Sequence, residues 1–237
     1  MKEPEFIPSE SRGKADHGWL KAAHSFSFAG YYAQDRIHFG ALRVLNDDLV
    51  APDKGFGMHP HDNMEIITIP LEGALAHKDS MGNEGIIQSG DIQVMSAGTG
   101  VYHSEYNASS DRPVSLLQIW VFPNQRQVNP RYDQRTFTFQ ANTFTDLVGP
   151  MGSSTLEIYQ DSWFSMFVSD KTQDIVYSFH KNNMGCYAFV IEGSVSFNAI
   201  HAKTRDAFAF YSDTSSSLTM QVSPASRILF IEVPLTW

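Results

Sequence analysis

Two short motifs carry the residues best suited to chemistry. His59-Pro60-His61 supplies two imidazoles, and His103-Ser104-Glu105 supplies an imidazole and a carboxylate at the same spacing. On an extended strand, residues i and i+2 project from one face. Each motif can therefore aim both of its side chains at a single point. Two neighbouring strands so equipped would hold one divalent metal and leave coordination positions for solvent or substrate. Three neutral imidazoles and one carboxylate form a borderline donor set, suited to Fe(II), Zn, Ni, Cu or Mn rather than to Ca or Mg. A lone His-x-His is common on sheet surfaces. The second motif lifts the pair above that background, as do Gly98 and Gly100, which let the turn before His103 adopt backbone angles closed to other residues.

The elements that must position these residues are strands. Short runs rich in Val, Ile, Phe, Thr and Tyr recur at Glu65 to Leu71, Ala74 to His77, Ile92 to Met95, Ser115 to Phe122, Ala188 to Ile191, Ser194 to Asn198 and Ile228 to Val233. Turn signals separate them at Asp47-Asp48, Glu72-Gly73, Gly82-Asn83, Ser89-Gly90 and Glu192-Gly193. Such spacing predicts an all-β sandwich or barrel. The segment from Ile69 to His77 resembles that from Phe189 to Phe197, each reading strand, Glu-Gly turn, strand. Gln118 to Pro123 resembles Phe230 to Pro234 in the same way. These echoes keep their order along the chain, which predicts two copies of one β module. The boundary falls in the polar stretch after Pro123, giving domains 1–130 and 131–237. The copies differ chemically. The positions corresponding to His59, His61, His103 and Glu105 fall near Phe179, Lys181, Leu218 and Met220, so the second copy is expected to lack the metal site.

Composition excludes several classes. A net charge of −9, with only 17 Lys and Arg, suits a DNA or RNA backbone poorly. No run of about 18 apolar residues suggests a membrane span, and the first ten residues contain no apolar signal-peptide core. Cys186 is the only cysteine, which fits a reducing, cytoplasmic compartment, and nothing near it predicts an activated thiolate.

The longer motifs carry a family resemblance. Gly57 to Glu65, followed by Glu72-Gly73, resembles the first cupin motif. Gly90-Asp91 and Ser96 to Asn107 resemble the second cupin motif in its pirin form. His17-Gly18-Trp19, Phe26-Ser27-Phe28, Arg43 to Asn46 and Asp79 to Asn83 are also similar to bacterial pirin-like proteins. The resemblance implies a bicupin, two tandem cupin-type β-barrels, with one divalent transition metal in the N-terminal barrel, Fe(II) first among the candidates. It also implies a quercetin 2,3-dioxygenase-like activity on a flavonol or similar enolic or phenolic substrate with dioxygen. Many cupins take their glutamate ligand from the first motif, which nominates Glu65; the pirin pattern nominates Glu105. Glu65 lies four residues beyond His61, roughly 13 Å along an extended strand, whereas Glu105 is two residues from His103. The expected ligands are thus His59, His61, His103 and Glu105, with Glu105 doubling as general base.

Supporting roles are expected of Asn63, Glu65, Asn107 and Gln118 as partners of the ligands. Phe26, Phe28, Met58, Met64 and Met95 are candidates for an apolar pocket wall or for plain core. His77, His180 and His201 read as surface or satisfied core histidines, and the roles of His17, His24 and His38 are undecided by sequence. The alternative to turnover is a metal-binding regulatory module with a protein partner, as in the pirins of higher organisms.

Overall fold

The computed structural model describes residues 3–214 and 216–236. In chain order the strands are β1 (Glu5–Ile7), β2 (Gly13–Asp16), β3 (Leu20–His24), β4 (Leu42–Val50), β5 (Gly55–His61), β6 (Glu65–Glu72), β7 (Ala74–Asp79), β8 (Glu84–Gln88), β9 (Asp91–Ser96), β10 (Val101–Asn107), β11 (Val114–Val121), β12 (Arg131–Thr136), β13 (Phe144–Pro150), β14 (Leu156–Ile158), β15 (Trp163–Ser169), β16 (Gln173–Ser178), β17 (Met184–Glu192), β18 (Ser194–Phe197), β19 (Ile200–Lys203), β20 (Ala207–Ser212), β21 (Ser217–Val222) and β22 (Ser226–Pro234). A single 3-10 turn, Ser9–Ser11, is the only helical element among the described residues.

These strands build the same two-sheet unit twice. The first unit pairs a seven-stranded sheet, ordered β12-β9-β6-β11-β4-β3-β2, with a four-stranded sheet, β5-β10-β7-β8. The second pairs β1-β20-β17-β22-β15-β13-β14 with β16-β21-β18-β19. Corresponding strands occupy corresponding places, and the Glu-Gly turns match: Gly73 and Gly193 have φ of 80° and 76°, the left-handed region that glycine enters without a steric penalty.

The two large sheets pack on each other, and side-chain alternation explains how. Leu117, Ile119 and Val121 of β11 point toward the second unit and join one core with Ile67, Ile69 and Val94. Phe164, Met166, Tyr187, Phe189, Leu229 and Ile231 enter that core from the other side. The intervening residues Leu116, Gln118 and Trp120 face the interior of the first barrel, as the period of two requires. Both ends of the chain cross the junction. β1 adds to β20 in the second sheet, and Ala41 N donates to Pro234 O at 2.9 Å.

Two expectations need correction. Asp47 and Asp48 do not form a turn; they lie inside β4. Asp47 faces outward and accepts from Arg12 at 3.4 Å and Arg205 at 3.0 Å, which holds an acidic pair in mid-strand despite its turn propensity. The division at 130/131 precedes β12, yet β12 pairs with β9. The first sheet therefore runs to Thr136 and the second borrows residues 5–7.

Candidate metal centre

The small sheet of the first barrel supplies the groups that could ligate a metal. β5 and β10 run antiparallel with His103 opposite His59 and Val101 opposite His61. A bulge between His103 and Glu105 shifts the register so that Glu105 lies opposite Phe56; such bulges re-aim side chains near sites. The ring centroids of His59, His61 and His103 lie 4.4 to 4.9 Å apart, and one nitrogen from each falls within 4.8 Å of the others.

The loops beyond these strands are tied together. Gly98, with φ of 49°, accepts from Asn63 N at 2.9 Å, and Thr99 N donates to Val128 O at 2.9 Å. The segment leaving His61 and the turn leading to His103 thus share one scaffold.

The protonation states suit a metal. The His59 imidazole is 2.7 Å from Gly57 O through Nδ1; donation there leaves Nε2 with its lone pair. Burial, with the neighbouring imidazole of His59, pushes His61 down to about 4. Burial and the surrounding histidines push His103 further down, to about 2. Both rings are therefore neutral near pH 7 and able to ligate. His61 Nε2 and both nitrogens of His103 are buried with no hydrogen-bond partner among the described residues. Orphaned, mutually facing imidazoles are costly unless something satisfies them, and a divalent transition metal fits that need.

Glu105 converges on this cluster from its other side. It forms a second group with His103 and His77, again within 4.8 Å. Gln118 Nε2 donates to Glu105 Oε2 at 3.0 Å. Thr68 Oγ1 lies 2.8 Å from Gln118 Oε1 and 3.3 Å from Glu105 Oε1. Its single proton goes to the nearer oxygen, which leaves Glu105 Oε1 weakly satisfied. Burial raises the Glu105 carboxyl to about 7 against the opposing pull of these bonds.

His77 is the residue that sequence reasoning misplaced. It is neither on the surface nor satisfied: 1% of its area is exposed and Nδ1 has no partner among the described residues. It stacks on Tyr132 at 4.8 Å, with Nε2 3.4 Å from Asp79 Oδ2. Asp79 is itself anchored by Met81 N and by Asn83 N and Nδ2. This is the carboxylate–histidine arrangement that orients groups around a metal. A signal was available, since His77 and Asp79 share strand parity and precede a tight Gly82 turn.

A second feature was also missed. A polar row crosses the large sheet beneath the histidines: His24 opposite Asn46, Asn46 opposite Gln118, Gln118 opposite Thr68, Thr68 opposite Gln93. His24 and Asn46 are hydrogen-bonded at 2.9 Å. The clue was a polar residue at an inward-facing position in each of five strands.

Beside the ligands lies a cavity of about 170 Å³, lined by Phe28, Phe56, Leu75, Leu116, Trp120, His59, His61, Glu105, Gln118, Asn46 and Asp48. Of the expected pocket residues, Phe28 and Gln118 line it. Phe26 instead packs on Tyr187 at the domain junction, and Met95 is core beside Ile66, Ala97 and Val101. Met58 points outward from the small sheet. Asn63 is a turn residue with φ of 45°, accepting from Gln127 N at 2.8 Å. Glu65 accepts from Ser96 Oγ at 2.6 Å. Asn107 holds the loop that follows it, donating to Arg112 O and accepting from Ser109 N. None of these three reaches a ligand. His180 is satisfied by Glu232 through both N and Nδ1, and His201 pairs with Ser196. Cys186 is fully buried, with its thiol pKa pushed well up by burial.

A double cupin whose first barrel gathers imidazoles and a carboxylate defines the class, and comparison with known proteins places the chain within it. Residues 6–121 match the Pirin family model, and residues 147–233 match that of the quercetinase C-terminal cupin domain. The chain is 37% identical over 226 residues to a quercetin 2,3-dioxygenase of Escherichia coli K12, covering 95% of this chain and 96% of that one. It is 45% identical over 204 residues to a putative quercetin 2,3-dioxygenase of Zymomonas mobilis, covering 84% and 86%. The crystal structure of the bacterial pirin YhhW from Escherichia coli in complex with nickel(II) superposes with a TM-score of 0.91 at 36% identity, covering 98% and 99%. The chain belongs to the pirin family.

Proposed function

We propose that this pirin is a metal-dependent dioxygenase acting on a flavonol or similar enolic or phenolic substrate. The observation that carries the reading is the convergence of three imidazoles, those of His61 and His103 neutral and buried, beside an apolar cavity that a carboxyl group also lines. His59, His61, His103 and Glu105 would hold one divalent transition metal, Fe(II) or Ni foremost. When bound, such an ion supplies Lewis acidity that favours the deprotonated substrate hydroxyl and a site for redox chemistry with dioxygen.

The chain's own residues do the rest. Phe28, Phe56, Leu116 and Trp120 hold an aromatic ring and exclude water. Glu105, on the cavity wall, is placed to take the hydroxyl proton. Gln118 fixes that carboxyl by donating to it. The quercetin 2,3-dioxygenase names of relatives support the same chemistry. The lone, buried Cys186 suits a reducing compartment such as the cytoplasm.

A second reading, a metal-dependent regulatory module, draws support from the outer face of the same small sheet. Tyr102, Tyr106 and Met58 are exposed there on β10 and β5, with Ile86 exposed on β8 of the same sheet. Oxygen uptake decides between the two. Protein reconstituted in turn with Fe(II), Ni, Mn, Cu and Zn, then given quercetin, should consume oxygen with at least one metal, and His103→Ala should not. Stoichiometric metal without uptake would count against the enzyme reading.

A further inference from the structure

The cavity has a second polar pole that the metal ligands do not use. Asp48 lies on its wall, only 6% exposed, and its Oδ1 has no hydrogen-bond partner among the described residues. Its neighbour Asp47 shows what an aspartate in this strand does when its role is structural: it faces outward and holds Arg12 and Arg205. Asp48 faces inward and forms no ion pair among the described residues. A buried carboxyl without partners costs stability, so its presence calls for a ligand that repays it.

The geometry indicates which ligand. Asp48 lies on β4, opposite Leu116 of β11, and so belongs to the large sheet. The histidines hang from the facing small sheet. Apolar side chains, among them Leu116, Leu75 and Phe56, line the rest of the space. Burial first, then the charges of Asp47 and Glu105, raise the Asp48 carboxyl to about 7. Such a group can accept a hydrogen bond or donate one. The cavity, at about 170 Å³, is small beside the roughly 300–1,000 Å³ of sites for drug-sized ligands. It suits one ring, with the remainder of a larger molecule at the mouth.

We propose that Asp48 is a specificity-determining residue that hydrogen-bonds a second hydroxyl of the substrate. The site then selects aromatic molecules with an enol or phenol directed at the metal centre and a further hydroxyl directed at Asp48. This inference rests on the dioxygenase reading for its substrate class, but its test does not.

The test measures binding to nickel-loaded protein without oxygen, in wild type, Asp48→Ala and Asp48→Leu, with metal content determined for each. Two matched pairs serve as probes: quercetin against 3-hydroxyflavone, and hydroquinone against phenol. Wild type should favour the more hydroxylated member of each pair, and both variants should lose that preference roughly tenfold or more, the effect of one hydrogen bond to a buried carboxyl. Asp48→Leu should also raise the melting temperature, because it removes an unpaired buried carboxyl; a purely structural aspartate would lower it. Should neither flavonol bind while hydroquinone keeps an Asp48-dependent preference, the flavonol reading fails and the role of Asp48 stands. If no preference in either pair depends on Asp48, the inference is overturned, whatever the flavonols do.

Discussion

Replacing Gly98 by alanine tests how the two ligand-bearing segments are coupled. Gly98 sits at φ of 49°, a region that costs an L-residue roughly 1–2 kcal/mol. A Cβ there would stand 2.1 Å from Val128 O and 2.9 Å from Val128 C. Both atoms are backbone, so relief requires moving the segment by about 1 Å or more, since ordinary contact begins near 3.4 Å. That movement breaks or stretches Thr99 N to Val128 O and Asn63 N to Gly98 O, each worth about 1 kcal/mol. The expected loss is about 3–4 kcal/mol in the metal-free protein, read by urea denaturation. Because Asn63 follows His61 and Gly98 precedes His103, nickel affinity should also fall, about tenfold or more, in a chelator competition. Gly57→Ala is the control. It lies two residues before His59, and its Cβ would meet only Tyr106 Oη at 3.7 Å. It should be neutral or slightly stabilising. A Gly98→Ala loss below about 1 kcal/mol would refute the steric argument. Full destabilisation with unchanged nickel affinity would refute the coupling.

Three further outcomes follow from the same geometry. His77→Phe keeps a ring against Tyr132 but removes both nitrogens; nickel affinity should drop roughly 10- to 100-fold, with near-native circular dichroism. Glu65 is held at about 7, chiefly by burial, against a usual 4.5. The folded state therefore keeps a proton that the unfolded chain releases, so this group costs stability as pH rises from about 4.5 to 7. Glu65→Gln should match wild type at pH 4 and exceed it by up to roughly 3 kcal/mol at pH 8; a constant difference across that range would contradict the assignment. In the second barrel, Glu232→Gln replaces a fully buried acceptor of Tyr177 Oη, His180 N and His180 Nδ1. It should cost about 3 kcal/mol without altering metal stoichiometry.

Much of this fold was legible because strand period and turn chemistry are local. Each expected β run coincides with a strand, Ser115 to Phe122 and Ser194 to Asn198 overrunning theirs by one residue, and the Glu-Gly turns sit at matching positive φ values. The three histidines were legible because i, i+2 spacing fixes their face before any tertiary contact forms. What remained hidden depends on which strands become neighbours. His77 looked ordinary because its worth comes from lying opposite Glu105 across β7 and β10. Asp47-Asp48 looked like a turn because the arginines that compensate Asp47 lie 35 residues before it and far beyond it in the chain. Phe26 and Met95 looked like pocket wall because their apolar character alone does not say which side of a sheet they cover.

In the second barrel, apolar residues stand where the first carries its candidate ligands. Leu218 is the expected counterpart of His103, and its register partner is Tyr177, so Tyr177 takes the place of His59. Phe179 then falls at His61, two residues from the expected Lys181, and Met220 at Glu105. All four are buried and packed in one apolar core. The polar row changes in step. Where the first barrel sets Asn46, Gln118, Thr68 and Gln93 side by side, the second sets Ser165, Phe230, Ala188 and Phe208. Phe230 stacks on Tyr177 at 4.9 Å, filling the space that the first barrel leaves for a ligand. The four side chains proposed to hold the metal and the polar row under them have been exchanged together. A donor set at the mouth of a barrel is useful only when the layer beneath it can hydrogen-bond to it. A solid aromatic filling can instead devote the second copy to bracing the sheet on which the first copy's pocket is built.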